Sequence, residues 1–169
     1  MRSRLAIRAL VSNDTYSFRV LRQRLYIDLP SLFRYASDQQ NTLLPPGIDI
    51  AAIKSLLTDE NEGIAAYAGY FAVLLGDAAG MEPLLKYWQK IKGKGINRED
   101  SEETITILVY RAIGVLDDPQ YIPVLQEIYG KMQEYEVRDF YWSIRTMTGP
   151  EILSLRKEIR DTHGMANLQ

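Results

Sequence analysis

The 169-residue sequence predicts an all-α protein, an α-solenoid of stacked helix pairs, and three observations carry that expectation. Ile64, Tyr67, Ala68, Phe71, Ala72 and Leu75 fall at i, i+3, i+4, i+7, i+8 and i+11, one face of a helix. The same spacing returns 41 residues later in Ile105, Leu108, Val109, Ala112, Ile113 and Leu116, and in part 32 residues further on in Val137, Phe140, Tyr141 and Ile144. Each copy runs into a turn and a second amphipathic stretch, and strand signals are nearly absent. One helix pair cannot bury its own apolar face, whereas pairs stacked along the chain cover one another.

Residues 1–46 read as a basic helical segment packed on the array, and 47–169 as the array itself, the two forming one folded unit. In "MRSRLAIRALVSND" Arg8 interrupts the apolar run, which makes it an amphipathic helix rather than a signal peptide. Phe18, Leu21, Leu25, Tyr26 and Leu29 continue at helical spacing, and "LPSLFRYASD" predicts another short helix. "QQNTLLPPG" then breaks the pattern, because a proline disfavours helix in the residue before it.

Within the array, the expected pairs are 48–76, 79–117 and 119–147, with 150–163 as a closing helix. Ile50, Ile53, Leu56 and Leu57 supply the first helix. The polar loop "GKGINREDSEE" separates the first two copies, and its Asp100 with Glu103 forms a capping box opening a helix at about residue 101. Pro119 and Pro150 suit a first helical turn, where a missing N–H costs nothing, and Asp118 suits the N-cap. Pro83 and Pro123 sit a few residues further in and predict a late start or a bend.

The stretches "AVLLGDAAGMEPLL", "RAIGVLDDPQYIPVLQEI" and "EVRDFYWSI" resemble HEAT repeats of the phycobilisome-lyase type, over about residues 48–163. Asp59 and the pair Val137-Arg138 match the family's turn Asp and its Val-Arg opening of the second helix. Ala65-Ala66 and Thr106 depart from it, so most of the family's Arg ladder is missing. The resemblance implies a HEAT-like solenoid whose second helices line the concave side. Its functional implications are an interaction scaffold or, as the alternative, a protein that holds a bilin and helps attach it to a phycobiliprotein.

Hydrophobic residues make up 46% and charged residues 25%, ordinary for a globular chain. The absence of cysteine excludes disulfides, thiolate catalysis and Cys-based metal sites, and fits a reducing, cytoplasmic setting. No apolar run approaches the roughly 20 residues of a membrane span. The sole histidine, His163, reads as a charge at a helix C-terminus, "GKG" at 93–95 as a connector, and the carboxylate clusters as helix caps. No residue is therefore assigned to catalysis, to a cofactor or to a metal.

Residues 1–34 hold seven Arg against two Asp, a net of +5 that leaves −7 on residues 35–169. Arg4, Arg8, Arg19, Arg22 and Arg24 are the candidate anion contacts, but the acidic remainder argues against nucleic acid, the third functional reading. The leading expectation is a non-enzymatic scaffold that binds a protein or peptide, as part of a larger chain or assembly. Tyr70, Ile107, Tyr110, Arg111, Trp142 and Arg145 are its candidate partner-binding residues, an aromatic and Arg ridge on the second helices. The competing reading buries both faces of those helices.

Overall fold

A computed structural model describes residues 50–93 and 102–165. The segment 1–46, the break at "QQNTLLPPG" and Asp100 of the expected capping box lie outside the described residues. Among those described, every regular element is helical. The helices are α1 (Ile50–Ser55), α2 (Glu62–Leu74), α3 (Met81–Ile91), α4 (Glu102–Leu116), α5 (Ile122–Tyr129), α6 (Glu134–Ile144) and α7 (Pro150–Thr162). Short 3-10 turns at Ala78–Gly80 and Pro119–Tyr121 precede α3 and α5. The chain divides into two compact units, with the border at residues 105 and 106 inside α4.

The junctions explain why the template repeats. Gly76 and Asp117 stand 41 residues apart, and both have positive φ, 87° and 49°. In the first junction Gly76 N–H donates to Val73 C=O and Asp77 N–H to Ala72 C=O, which satisfies the last carbonyls of α2. In the second, Asp117 N–H donates to Ile113 C=O. The next residue, Asp77 or Asp118, then turns its side chain onto the following 3-10 turn, accepting from Ala79 N–H at 3.1 Å or Gln120 N–H at 3.0 Å. The third junction differs: α6 ends at Ile144, and Gly149 (φ 107°, ψ 151°) becomes the N-cap residue before Pro150. Pro83 and Pro123 lie in the first turns of α3 and α5, so no bend is needed to hold them.

In the first unit, Asn61 caps α2, its Oδ1 accepting from Gly63 and Ile64 N–H, while Asp59 Oδ1 accepts from Asn61 N–H. Ile53 and Leu56 of α1 and its following turn pack on Ile64, Ala68 and Ala72 of α2. Where α2 crosses the turn before α3, backbones meet at two glycines: a Cβ on Gly69 would lie 2.3 Å from Gly80 C=O, and one on Gly80 2.1 Å from Gly69 C=O. Glu62 at the start of α2 pairs with Lys90 and Lys86 of α3, which fixes that helix pair at its open end. Nearly every residue of α2 from Gly63 to Leu74 is buried, so this helix is covered on both faces.

In the second unit a column of rings runs through four helices. Tyr110 of α4 meets Phe140 of α6 edge-on at 5.3 Å, Phe140 stacks on Tyr129 of α5 at 6.1 Å, and Tyr129 meets His163 at the end of α7 at 6.1 Å. The helix directions follow from contacts. Tyr110 and Arg111 meet Asp139, Gly114 meets Ser143, and Asp117 meets Thr148, so α4 and α6 run in the same sense. α5 packs on α7 with their C-terminal ends together, joined by Tyr129 Oη and His163 Nε2 at 3.2 Å. His163 is the C-cap residue of α7.

Two kinds of glycine should respond differently to alanine. Gly76→Ala meets nothing within 4 Å and should cost about 1–2 kcal/mol through φ alone. In Gly114→Ala the new Cβ would sit 2.0 Å from Ser143 C=O and should cost roughly 3 kcal/mol, the upper range of overpacking. Denaturant melts of the two variants check both values, and the reverse order would contradict the assignment.

Asp77 also receives Lys54 Nζ of α1 at 2.8 Å. That hydrogen bond, aided by Ala79 N–H, holds its carboxyl below the ordinary aspartate value. The pair's contribution is therefore complete above the unfolded pKa of about 3.9 and is lost as pH falls toward the lower native value. Melting temperatures of wild type and Lys54→Met, measured from pH 6 to pH 2, should differ at the top of that range and converge at the bottom.

Candidate functional site

The stripe picked out on the second helices divides into a buried part and an exposed part. Tyr70 lies in the first unit at 2% exposure, its ring 5.8 Å from Phe71. In the second unit Tyr110 is 2% and Arg111 9% exposed, Ile107 is half-buried, and Trp142 and Arg145 are exposed. Burial takes Tyr70, Tyr110 and Arg111 out of an exposed ridge. The physical reason is visible in α2 and the C-terminal half of α4, whose tyrosines and small residues are enclosed on both faces. Arg4, Arg8, Arg19, Arg22 and Arg24 lie outside the described residues.

What joins Tyr110 and Arg111 is a carboxylate 28 residues beyond Arg111. Tyr110 Oη donates to Asp139 Oδ2 at 2.5 Å, and Arg111 Nη2 donates to Oδ2 at 2.8 Å and to Oδ1 at 3.0 Å. The Asp139 side chain remains 48% exposed while that of Arg111 is 10% exposed, so the charged pair spans the helix interface from inside to outside. Ser143 Oγ donates to Asp139 C=O one turn on, beside the close approach at Gly114. This set is a clamp between two parallel helices. It holds a carboxylate neutralised by Arg111.

The exposed part sits on α6. Trp142 is 36% exposed, with the Arg145 guanidinium stacked over its ring at 4.4 Å. Tyr135, 75% exposed, and Arg138 share this face, because 135, 138, 142 and 145 recur at helical spacing. The opposite face carries Val137, Phe140, Tyr141 and Ile144, all buried. Sequence reasoning missed Tyr135 and Arg138, although they are the complement of the third apolar copy. No carboxylate among the described residues pairs with Arg138 or Arg145.

Other chemistry is sparse among the described residues. No group of three His, Asp or Glu side chains is placed to hold a metal ion, and no helix is long and apolar enough to cross a membrane. A pocket of about 400 Å³ in the first unit is lined by Ile53, Lys54, Ala72, Leu75, Gly76 and Asp77, and its charged groups are the ion pair already described. Burial raises the Tyr121 hydroxyl above its ordinary pKa, with Asp118 adding to the effect, which makes it a poor proton donor at neutral pH. Comparison with protein-family models, with curated proteins and with solved structures returns no match.

Removing the clamp's carboxylate by Asp139→Ala should lower stability by about 1–2 kcal/mol. That is less than the 3–5 kcal/mol of a broken buried pair, because Asp139 is half in water. Tyr110→Phe should cost about 1 kcal/mol, and the double variant should cost less than the sum, since both remove the same hydrogen bond. Additive losses in chemical denaturation would separate the two groups.

Proposed function

We propose that this chain is a non-enzymatic interaction module, a HEAT-like solenoid acting in the cytoplasm that binds a protein partner through its second helices. The shared sense of α4 and α6 supports the solenoid, as does the recurrence of the positive-φ residue and Asp cap at the offset of the apolar template. The absence of cysteine supports a reducing compartment.

The observation that carries the binding role is the exposed Trp142 under Arg145, continued by Tyr135 and Arg138 on a helix whose opposite face is packed. Trp, Tyr and Arg are the residue types that dominate binding energy at protein interfaces. Charged or polar groups in that position would serve solubility; a solvent-facing indole serves it poorly.

Affinity capture from the native host, with wild type and Trp142→Ala run side by side, tests the reading. A protein retained by wild type and weakened at least thirtyfold by the substitution is the expected outcome, the size of a hot-spot loss of about 2 kcal/mol. The melting temperature should move little, since the indole is partly in solvent. Covalent transfer of a bilin to an apo-phycobiliprotein, or retention of nucleic acid that fails at physiological salt, would replace this reading with one of its alternatives.

A further inference from the structure

The second unit contains its own example of how one second helix receives the next. On α4, Tyr110 and Arg111 meet the carboxylate of Asp139 on the parallel helix α6, and Gly114 lets the backbones close. The 32-residue offset of the template carries Tyr110 onto Trp142, Arg111 onto Ser143 and Gly114 onto Thr146. Ser143 faces α4 at Gly114, whereas Trp142 on α6 and Thr146 just beyond it are exposed, so part of the face that α6 covers on α4 is open at the equivalent positions. The aromatic partner is kept there, and a guanidinium is supplied by Arg145 rather than by the neighbouring position.

We propose that this face docks an acidic amphipathic helix of a partner protein, its carboxylates meeting Arg138 and Arg145 and its apolar residues covering Trp142 and Tyr135. The proposal rests on the interaction-module reading and names the chemistry of the partner. Charge carries the choice of occupant. Arg138 and Arg145 have no carboxylate partner among the described residues, and the adjoining Asp139 is already engaged by Tyr110 and Arg111. The chain's own segment 1–34 has the wrong sign for this face, at +5. A helix fits better than an extended strand because side chains at 135, 138, 142 and 145 form a straight ridge that enters the grooves of another helix.

The test uses the full chain, labelled with nitrogen-15, and a stapled helical peptide with Leu at i, i+3 and i+7 flanked by Glu. A second peptide carries Gln in place of each Glu. The Glu peptide should shift the Trp142 indole N–H and the amides of 134–146. It should bind about tenfold more tightly than the Gln peptide, with a difference that shrinks at high salt. Arg138→Gln with Arg145→Gln should remove that preference while circular dichroism stays unchanged, both residues being exposed. Equal binding of the two peptides at α6 would overturn the acidic partner and leave the interaction module standing. Failure of the Glu peptide to bind at about 1 mM, or binding away from α6, would overturn the proposal. Dimers abolished by Trp142→Ala would instead assign the face to a second copy and overturn it as well. Capture of a native partner unaffected by Trp142→Ala would strike the underlying reading, whatever the peptides do.

Discussion

Two of the chain's abrupt helix-to-helix junctions are made by a residue in the left-handed region, Gly76 and Asp117, at one register. The following Asp then accepts an N–H from the next turn, so the residue that leaves one helix is tied directly to the residue that opens the next. An Asp therefore stands two residues after both Leu75 and Leu116, the last apolar positions of the two full copies of the template. Asp117 is the costly version, since a Cβ at φ 49° is disfavoured, and its carboxylate compensates locally. Its two oxygens accept from Thr148 N–H at 2.8 Å and Thr148 Oγ1 at 2.9 Å, which ties the end of α4 to the turn after α6. Glycine at this position would relax the backbone and lose that tie.

From those junctions follows the packing. Once α4 and α6 point the same way, their interface can be no wider than Gly114 and Ser143 allow, and at that distance long side chains must lie flat or leave. Tyr110 meets Phe140 edge to face and sends its hydroxyl outward to Asp139; Arg111 follows the same route. The clamp thus serves to register two helices whose apolar contacts alone would tolerate sliding. Arg156 plays a comparable part between α7 and the turn after α6, with its guanidinium 5.9 Å from the Tyr141 ring and Nη1 reaching Met147 C=O at 3.4 Å.

Helices and junctions were legible in the sequence because their causes are local. Periodicity marked α2, α4 and α6, Asp118 with Pro119 marked the turn before α5, and Pro150 marked the start of α7. The surroundings of each helix were not legible, because periodicity detects one apolar face and is silent about a second. Tyrosine deepens the ambiguity: Tyr70 and Tyr110 are as much core as interface by composition, and only a neighbour decides. Arg111 looked like a surface cation because its partner, Asp139, lies on another helix and belongs to no local motif. Trp142 has the same spacing as Tyr110 in the template and the opposite exposure, which no single-helix pattern could separate.

That contrast between Tyr110 and Trp142 bears on what the open face of α6 can accept. An indole facing water would ordinarily fold down onto whatever apolar surface is near; here the Arg145 guanidinium covers one side of the ring, a contact worth about 0.5–1 kcal/mol at an exposed site. The stacking holds both side chains in one arrangement before any partner arrives, so less rotamer entropy is lost on binding. A carboxylate can engage the free edge of Arg145 without breaking the stack, whereas an apolar side chain alone would have to bury the guanidinium unpaired, at a desolvation cost. The geometry of α6 is thus consistent with the proposed acidic partner, whose negative charge would meet Arg145 at the edge of the indole.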